Sequence, residues 1–196
     1  MRKLILIIPI LSTILITGVV TQTTRAEKNV DIGISIRDDK IRSFYLAISD
    51  YYRLKTPPYR YTVIHEEELP LVILISQYAR VSPEVIVEMR RVGFSWYEIM
   101  VRYRVYPEVV FREYIAYYYG PPYGKALGHK KHKKKIKFRD RDLVELANIK
   151  FISEYYGERP HVVIEQRERY PDYVELNYVY YREYKEKKGK KHKEWD

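Results

Sequence analysis

The longest apolar stretch of the chain lies at its start, where Leu4 to Val20 is broken by hydroxyl residues only at Ser12, Thr13 and Thr17. Arg2 and Lys3 precede it, and Thr24-Arg25-Ala26 places small residues three and one before a cut, so residues 1–26 have the layout of a signal peptide cleaved after Ala26. The rival reading is a retained anchor, because the run is close to the lower limit for spanning a bilayer; Pro9 and the hydroxyl residues weaken it. Val30, Ile32, Ile34 and Ile36 then alternate with Asp31, Gly33 and Ser35, the period of a half-buried strand. Asp38-Asp39 follows as a turn, and a second strand through Phe44, Leu46 and Ile48 completes a predicted hairpin. Ile41, Phe44, Tyr45 and Ile48 fit helical spacing as well, and the hairpin is the preferred reading. Thr56-Pro57-Pro58 interrupts the chain, and Tyr61 to Ile64 offers one more strand, so residues 27–66 are expected to form a small β element, a hairpin or meander.

From Leu69 onward the period becomes helical. Leu71, Leu74, Ile75 and Tyr78 line one face. Ser82 and Pro83 start a second helix with Val85, Ile86 and Met89 inward, ended by Gly93. Ser95 and Glu98 make a capping box for a third, with Trp96, Ile99, Met100 and Tyr103 at core spacing. A fourth begins at Pro107, carries Val110, Phe111, Tyr114 and Ile115, and stops at Gly120-Pro121-Pro122. Asp142 to Tyr156, Pro160 to Arg169 and Asp172 to about Lys185 read as three more, with Asp172 and Glu175 as a further capping box.

The chain also repeats itself. Ile75-Ser76-Gln77-Tyr78 matches Ile152-Ser153-Glu154-Tyr155, and at the same offset of 77 residues Pro83, Val85, Glu88, Arg90 and Glu98 match Pro160, Val162, Glu165, Arg167 and Glu175, with Trp96 opposite Tyr173. A shorter echo relates residues 80–85 to residues 104–109. A helix, a turn and a proline-started helix cannot bury an apolar stripe alone, so the copies are expected to pack on each other. The predicted fold is therefore mainly α: the β element, a first helix-turn-helix-like unit at 67–119, a linker at 120–141, a second unit at 142–184 and a basic tail at 185–196.

Composition narrows the chemistry. Without cysteine there are no disulfides, thiolate zinc sites or cysteine nucleophiles. Removing residues 1–26 leaves 170 residues with 33 basic against 26 acidic side chains, a net charge of +7 that favours anionic partners. Glutamine occurs only at 22, 77 and 166 and asparagine only at 29, 148 and 177, which with the many charges is a hyperthermophile bias. The 22 tyrosines fit the same picture, supplying buried area with a hydrogen-bonding tip.

No nucleophile elbow, phosphate-cradling glycine loop or dinucleotide fingerprint is present, so neither catalytic residues nor a cofactor are expected. His129 and His132 lack further metal ligands nearby, and His65 with Glu66, Glu67 and Glu68 is not a zinc-protease motif but reads as a solvated acidic helix start. The segment from Ser95 through Pro107 has the rhythm of a DNA-binding helix-turn-helix, yet Pro107-Glu108-Val109-Val110-Phe111 offers no arginine or asparagine to a base edge. The candidate contact residues are the basic run Lys130, Lys131, Lys133, Lys134, Lys135, Lys137 and Arg139, and the loop residues Tyr123 and Lys125 together with Trp96. A solvated, self-repelling linker is the competing account of the lysines.

Gly120-Pro121-Pro122-Tyr123-Gly124-Lys125-Ala126, with Ser82-Pro83-Glu84-Val85 and Ser95-Trp96 before it and Phe151 to Gly157 after it, resembles an uncharacterised family of exported bacterial proteins. The resemblance implies export and a shared architecture, and transfers no functional residue. The expectation is an exported, periplasmic or envelope protein that binds an anionic envelope component or a partner protein. Membrane insertion would be transient, through the signal segment only. A wall-modifying enzyme using paired carboxylates, and nucleic-acid binding through the helix-turn-helix-like unit and linker, are the alternatives.

Overall fold

In a computed structural model the described residues are 36–55, 58, 64–120 and 136–193, with side chains described from 39 to 187 within those ranges. Residues 1–26, the first predicted strand through residue 35, and residues 61–63 lie outside them. Helices α1 (Ile36–Tyr51), α2 (Leu69–Ala79), α3 (Pro83–Arg91), α4 (Trp96–Arg102), α5 (Pro107–Val110), α6 (Arg112–Tyr119), α7 (Asp140–Tyr156), α8 (Pro160–Arg167) and α9 (Tyr173–Lys193) follow in order, with a single 3-10 turn at Glu66–Glu68 leading into α2. There is no strand among the described residues, and the mainly helical class expected from the periodicity is what is observed.

The second strand of the predicted hairpin is replaced by α1. Phe44, Ala47 and Ile48 are fully buried whereas Leu46 is 48% exposed. Alternation would have put Leu46 on the same face as Phe44 and Ile48, so the helical spacing of these residues wins. What decides it is tertiary: α1 lies along α9 and also touches α7, and Phe44 meets Phe151 edge-on at 5.8 Å between ring centroids. Ion pairing between Lys40 and Glu175, and hydrogen bonds from Tyr51 to Glu154 and from Tyr155 to Asp50, fasten the same surfaces.

Two helices form the centre. Every residue of α2 from Leu69 to Ser76 is buried, and α7 buries Leu143, Leu146, Ala147, Ile149, Phe151 and Ile152. A helix apolar on all sides belongs inside a bundle, and each fully buried leucine, isoleucine or valine contributes about 1.5–3 kcal/mol. α2 packs on α7 and α3, while α7 also receives α6, α8, α4 and α9. The helix predicted from Pro107 to Gly120 breaks at Phe111, giving the four-residue α5 and then α6. At the C-terminus α9 runs on to Lys193, so the second helical unit does not stop at 184 and residues 185–193 of the expected tail are helix.

The residues that match at an offset of 77 occupy like positions in α2–α3–α4 and α7–α8–α9. Pro83 and Pro160 each open a helix. The residues that close α2 and α7, Arg80 and Gly157, are both left-handed, at φ 56° and 74°. Glycine adopts that conformation at no steric cost and arginine does not. Arg80→Gly is therefore expected to raise stability by up to about 1 kcal/mol in urea unfolding, whereas Gly157→Arg should lower it by about as much.

Tyrosine side chains join these helices through both ends. Tyr155, Tyr156, Tyr180 and Tyr184 stack or meet edge-on at 4.7–5.9 Å, and Tyr156 donates to Asn177 at 2.8 Å. Glu154 accepts from Tyr51, Tyr114 and Lys150. Burial pushes its carboxyl upward, but those three donors outweigh burial and hold it below the usual carboxylate range.

Candidate functional site

Where α2 and α7 meet, two arginine-aromatic pairs face a shared cleft of about 330 Å³. In the first, the Arg90 guanidinium lies 4.9 Å from the centre of the Trp96 ring and pairs with Glu68 at 3.3 Å and Asp140 at 2.5 Å. The Trp96 indole N–H donates to Glu68 at 2.9 Å, and its backbone N–H to Asp140 at 2.8 Å. In the second, Arg167 lies 5.0 Å from the Tyr173 ring and 4.0 Å from Glu67. The Tyr173 hydroxyl donates to Glu145 at 2.6 Å and its backbone N–H to Glu67 at 2.8 Å.

Arg90 and Arg167, Trp96 and Tyr173, and Glu68 and Glu145 are all 77 residues apart. The backbone caps cross over: Asp140 at the start of α7 caps α4, and Glu67 just before α2 caps α9. Each half of the molecule thus satisfies the exposed N–H groups at the start of a helix in the other half. Asn148, fully buried, adds a hydrogen bond from its side-chain amide to the Glu67 carbonyl at 2.7 Å. Burial pushes the Glu67 carboxyl up, against the opposing pull of the Tyr173 N–H and Arg167. The reading of Glu66–Glu68 as a solvated acidic start is corrected for Glu67 and Glu68, which are partly buried and bonded to Tyr173 and Trp96. A triple glutamate carries no signal in one sequence that two of its members reach across to residues 28 and 106 positions away.

A second concavity, of about 450 Å³, runs between α1 and α9. Arg42 and Leu46 line one wall and Tyr178, Tyr181, Arg182 and Lys185 the other, with Asp39 and Glu186 among the lining residues. Arg182 lies over the Tyr178 ring at 5.8 Å and Lys185 over the Tyr181 ring at 5.4 Å. Each cation sits one turn beyond its ring, so helical spacing alone brings them together. None of Arg42, Arg182 and Lys185 forms an ion pair among the described residues. This groove went unnoticed in the sequence because Arg42 was read on a strand and Lys185 at the onset of a tail.

The contact residues expected from the sequence scatter. Tyr123, Lys125, Lys130, Lys131, Lys133, Lys134 and Lys135 lie outside the described residues, as do His129 and His132. Lys137 is exposed. Arg139 is also exposed, but its guanidinium and backbone N–H are bound by the Asp142 carboxylate at 2.9–3.2 Å. Trp96 is 0% exposed; with its indole N–H on Glu68 and its ring against Arg90 it belongs to the core and presents no contact surface. The helix-turn-helix rhythm of α4 and α5 leaves Pro107 and Phe111 buried, so the entry of the would-be reading helix is turned inward. No cluster of potential metal ligands occurs among the described residues, and no helix among them is long and apolar enough to cross a membrane. No family model, curated protein or solved structure matches the chain.

Proposed function

We propose that the protein is an exported, non-catalytic binding module of the cell envelope that contacts an anionic component through the groove between α1 and α9. The observation that carries this reading is the set of three cations, Arg42, Arg182 and Lys185, exposed in one concavity without a carboxylate partner among the described residues. Two of them are laid over tyrosine rings, which limits their rotamer freedom and lowers the entropy lost on binding an anion. The net charge of +10 over the chain adds long-range attraction of the same sign. The basic run from Lys130 to Arg139 is read as an auxiliary contact, and the two helical runs as related copies, in keeping with the resemblance carried by the loop at 120–126.

The test is binding of the purified protein to lipopolysaccharide, acidic wall polymer, anionic vesicles and DNA at low and high salt. Binding to an anionic envelope component should weaken steeply with salt, and Arg42→Gln/Arg182→Gln/Lys185→Gln should reduce affinity about tenfold or more, about 1.4 kcal/mol. Wild-type affinity in that variant would remove the groove from the reading. Binding to none of the four would turn the search to protein partners.

A second reading, a wall-modifying enzyme, is favoured by one observation: Glu67, its carboxyl pushed up by burial, shares the central cleft with Glu68, Asp140 and Glu145. It stands second because each of these carboxylates already serves a backbone cap, an arginine or a ring donor. Wall hydrolysis abolished by Glu67→Gln in a folded protein would reverse the order.

A further inference from the structure

We infer that the anion held by the α1–α9 groove is a linear polymer bearing repeated phosphate or carboxylate groups and no stacking bases, lying along α9 from the groove toward Lys193. The inference rests on the binding reading above and specifies its ligand. The groove is walled by two neighbouring helices, with Arg182 and Lys185 three residues apart on one side and Arg42 on the other. α9 then continues as helix to Lys193, and its sequence past the groove carries Lys187, Lys188, Lys190, Lys191 and Lys193. From Arg182 to Lys193 the helix rises roughly 16 Å, and the stretch holds seven basic residues against Glu183 and Glu186.

A single small anion would gain little here, because the three groove cations are exposed and screened by water. A polymer sums many weak contacts and releases a counterion at each. A bilayer surface fits less well: interfacial helices bury an apolar face, and Leu46 is the one exposed aliphatic side chain lining the groove. Nucleic acid also fits less well. Single strands are held by stacking bases on open aromatic faces, and Arg182 and Lys185 already lie over Tyr178 and Tyr181.

The experiment measures binding of tripolyphosphate, long-chain polyphosphate, polygalacturonate and oligo-dT across a salt series. The full-length protein is compared with the groove variant above and with a variant carrying Lys187, Lys188, Lys190, Lys191 and Lys193→Gln. Glutamine keeps helix propensity close to that of lysine, and circular dichroism confirms the fold. Per charge, a long acidic chain should bind at least tenfold more tightly than tripolyphosphate. The α9 variant should lose that advantage while binding tripolyphosphate as the wild type does. Polyphosphate ahead of polygalacturonate, or the reverse, tells phosphate from carboxylate. Equal binding per charge of short and long chains, or an α9 variant that keeps the advantage, overturns the inference and leaves groove binding standing. Oligo-dT binding more tightly than polyphosphate of equal charge also overturns it. Binding of none of the four probes removes the inference and the reading beneath it together.

Discussion

Trp96→Ala is expected to lower unfolding stability by about 3–5 kcal/mol, the usual cost of removing a buried aromatic side chain and leaving a cavity. Trp96 is among the largest fully buried side chains of the molecule, and three separate interactions end on it. Its ring fills the space between α4 and the start of α7, its face carries Arg90, and its indole N–H satisfies Glu68. Alanine keeps only the backbone cap from Asp140. Trp96→Phe separates the parts, because it retains most of the packing and removes the indole donor. Glu68 then keeps Arg90 as its partner, so the expected loss is about 1–2 kcal/mol. Tyr173→Phe makes the equivalent deletion in the second copy, where the Glu145 carboxylate loses its hydroxyl partner at 2.6 Å, and should cost a similar amount. Chemical denaturation followed by far-UV circular dichroism measures all three. Domains of ordinary size are stable by roughly 5–15 kcal/mol in total, so Trp96→Ala should visibly shift the midpoint. A loss below about 1 kcal/mol would mean that the cleft collapses around the deletion, and that the paired arrangement is not a principal fastening between α2 and α7.

The comparison with the sequence reading follows the range over which each signal acts. Ser95 and Glu98 stand three residues apart and settle their own geometry: the Glu98 carboxylate accepts the Ser95 N–H at 2.8 Å and Ser95 accepts the Glu98 N–H at 3.2 Å. Asp172 likewise accepts from Glu175 at 2.7 Å, and the spacing of α2 was legible because its neighbours all lie on one turn or the next. α1 was not legible, since the apolar positions 41, 44, 45 and 48 suit a helix and a strand almost equally, and contact with α9 more than a hundred residues away decides between them. The same limit hid both candidate sites. The matching of Arg90 with Arg167 and of Trp96 with Tyr173 is visible in one dimension. That the two pairs face one cleft, with Glu67 and Asp140 exchanged between halves, depends on how the copies meet. Trp96 was misplaced as a contact residue for a related reason: an aromatic at a helix start suits a surface and a core equally until its neighbours are known.

Asp142 and Glu67 should respond to acid in opposite senses, and one titration tells them apart. The Asp142 side chain is 2% exposed and accepts from the Arg139 backbone and guanidinium and from the Tyr118 hydroxyl. Burial pushes its carboxyl upward, but these donors prevail and hold it below the ordinary aspartate value. A group with a depressed folded pKa contributes stability that is present above the unfolded value, about 3.9, and is lost as pH falls through the folded one. Asp142→Asn is therefore expected to cost about 1–3 kcal/mol at pH 7, with the gap to wild type narrowing as pH falls below about 4. Glu67 runs the other way. Its folded pKa is raised, so the stability it contributes is full below the unfolded value, about 4.3, and lost as pH rises through the folded one. Glu67→Gln imitates the protonated form, and its side-chain oxygen can still accept the Tyr173 N–H. That variant should equal wild type in acid and be as stable or slightly more stable at pH 7. Urea unfolding at steps from pH 7 to pH 3 reads both. If Glu67→Gln instead loses several kcal/mol at pH 7, the ionised carboxylate is needed for the tie to Arg167 and the cap on α9, and the cross-over between halves is held by charge. If it loses nothing, the cap is held by the hydrogen bond alone, and Glu67 is the one carboxylate of the cleft whose charge the fold does not need.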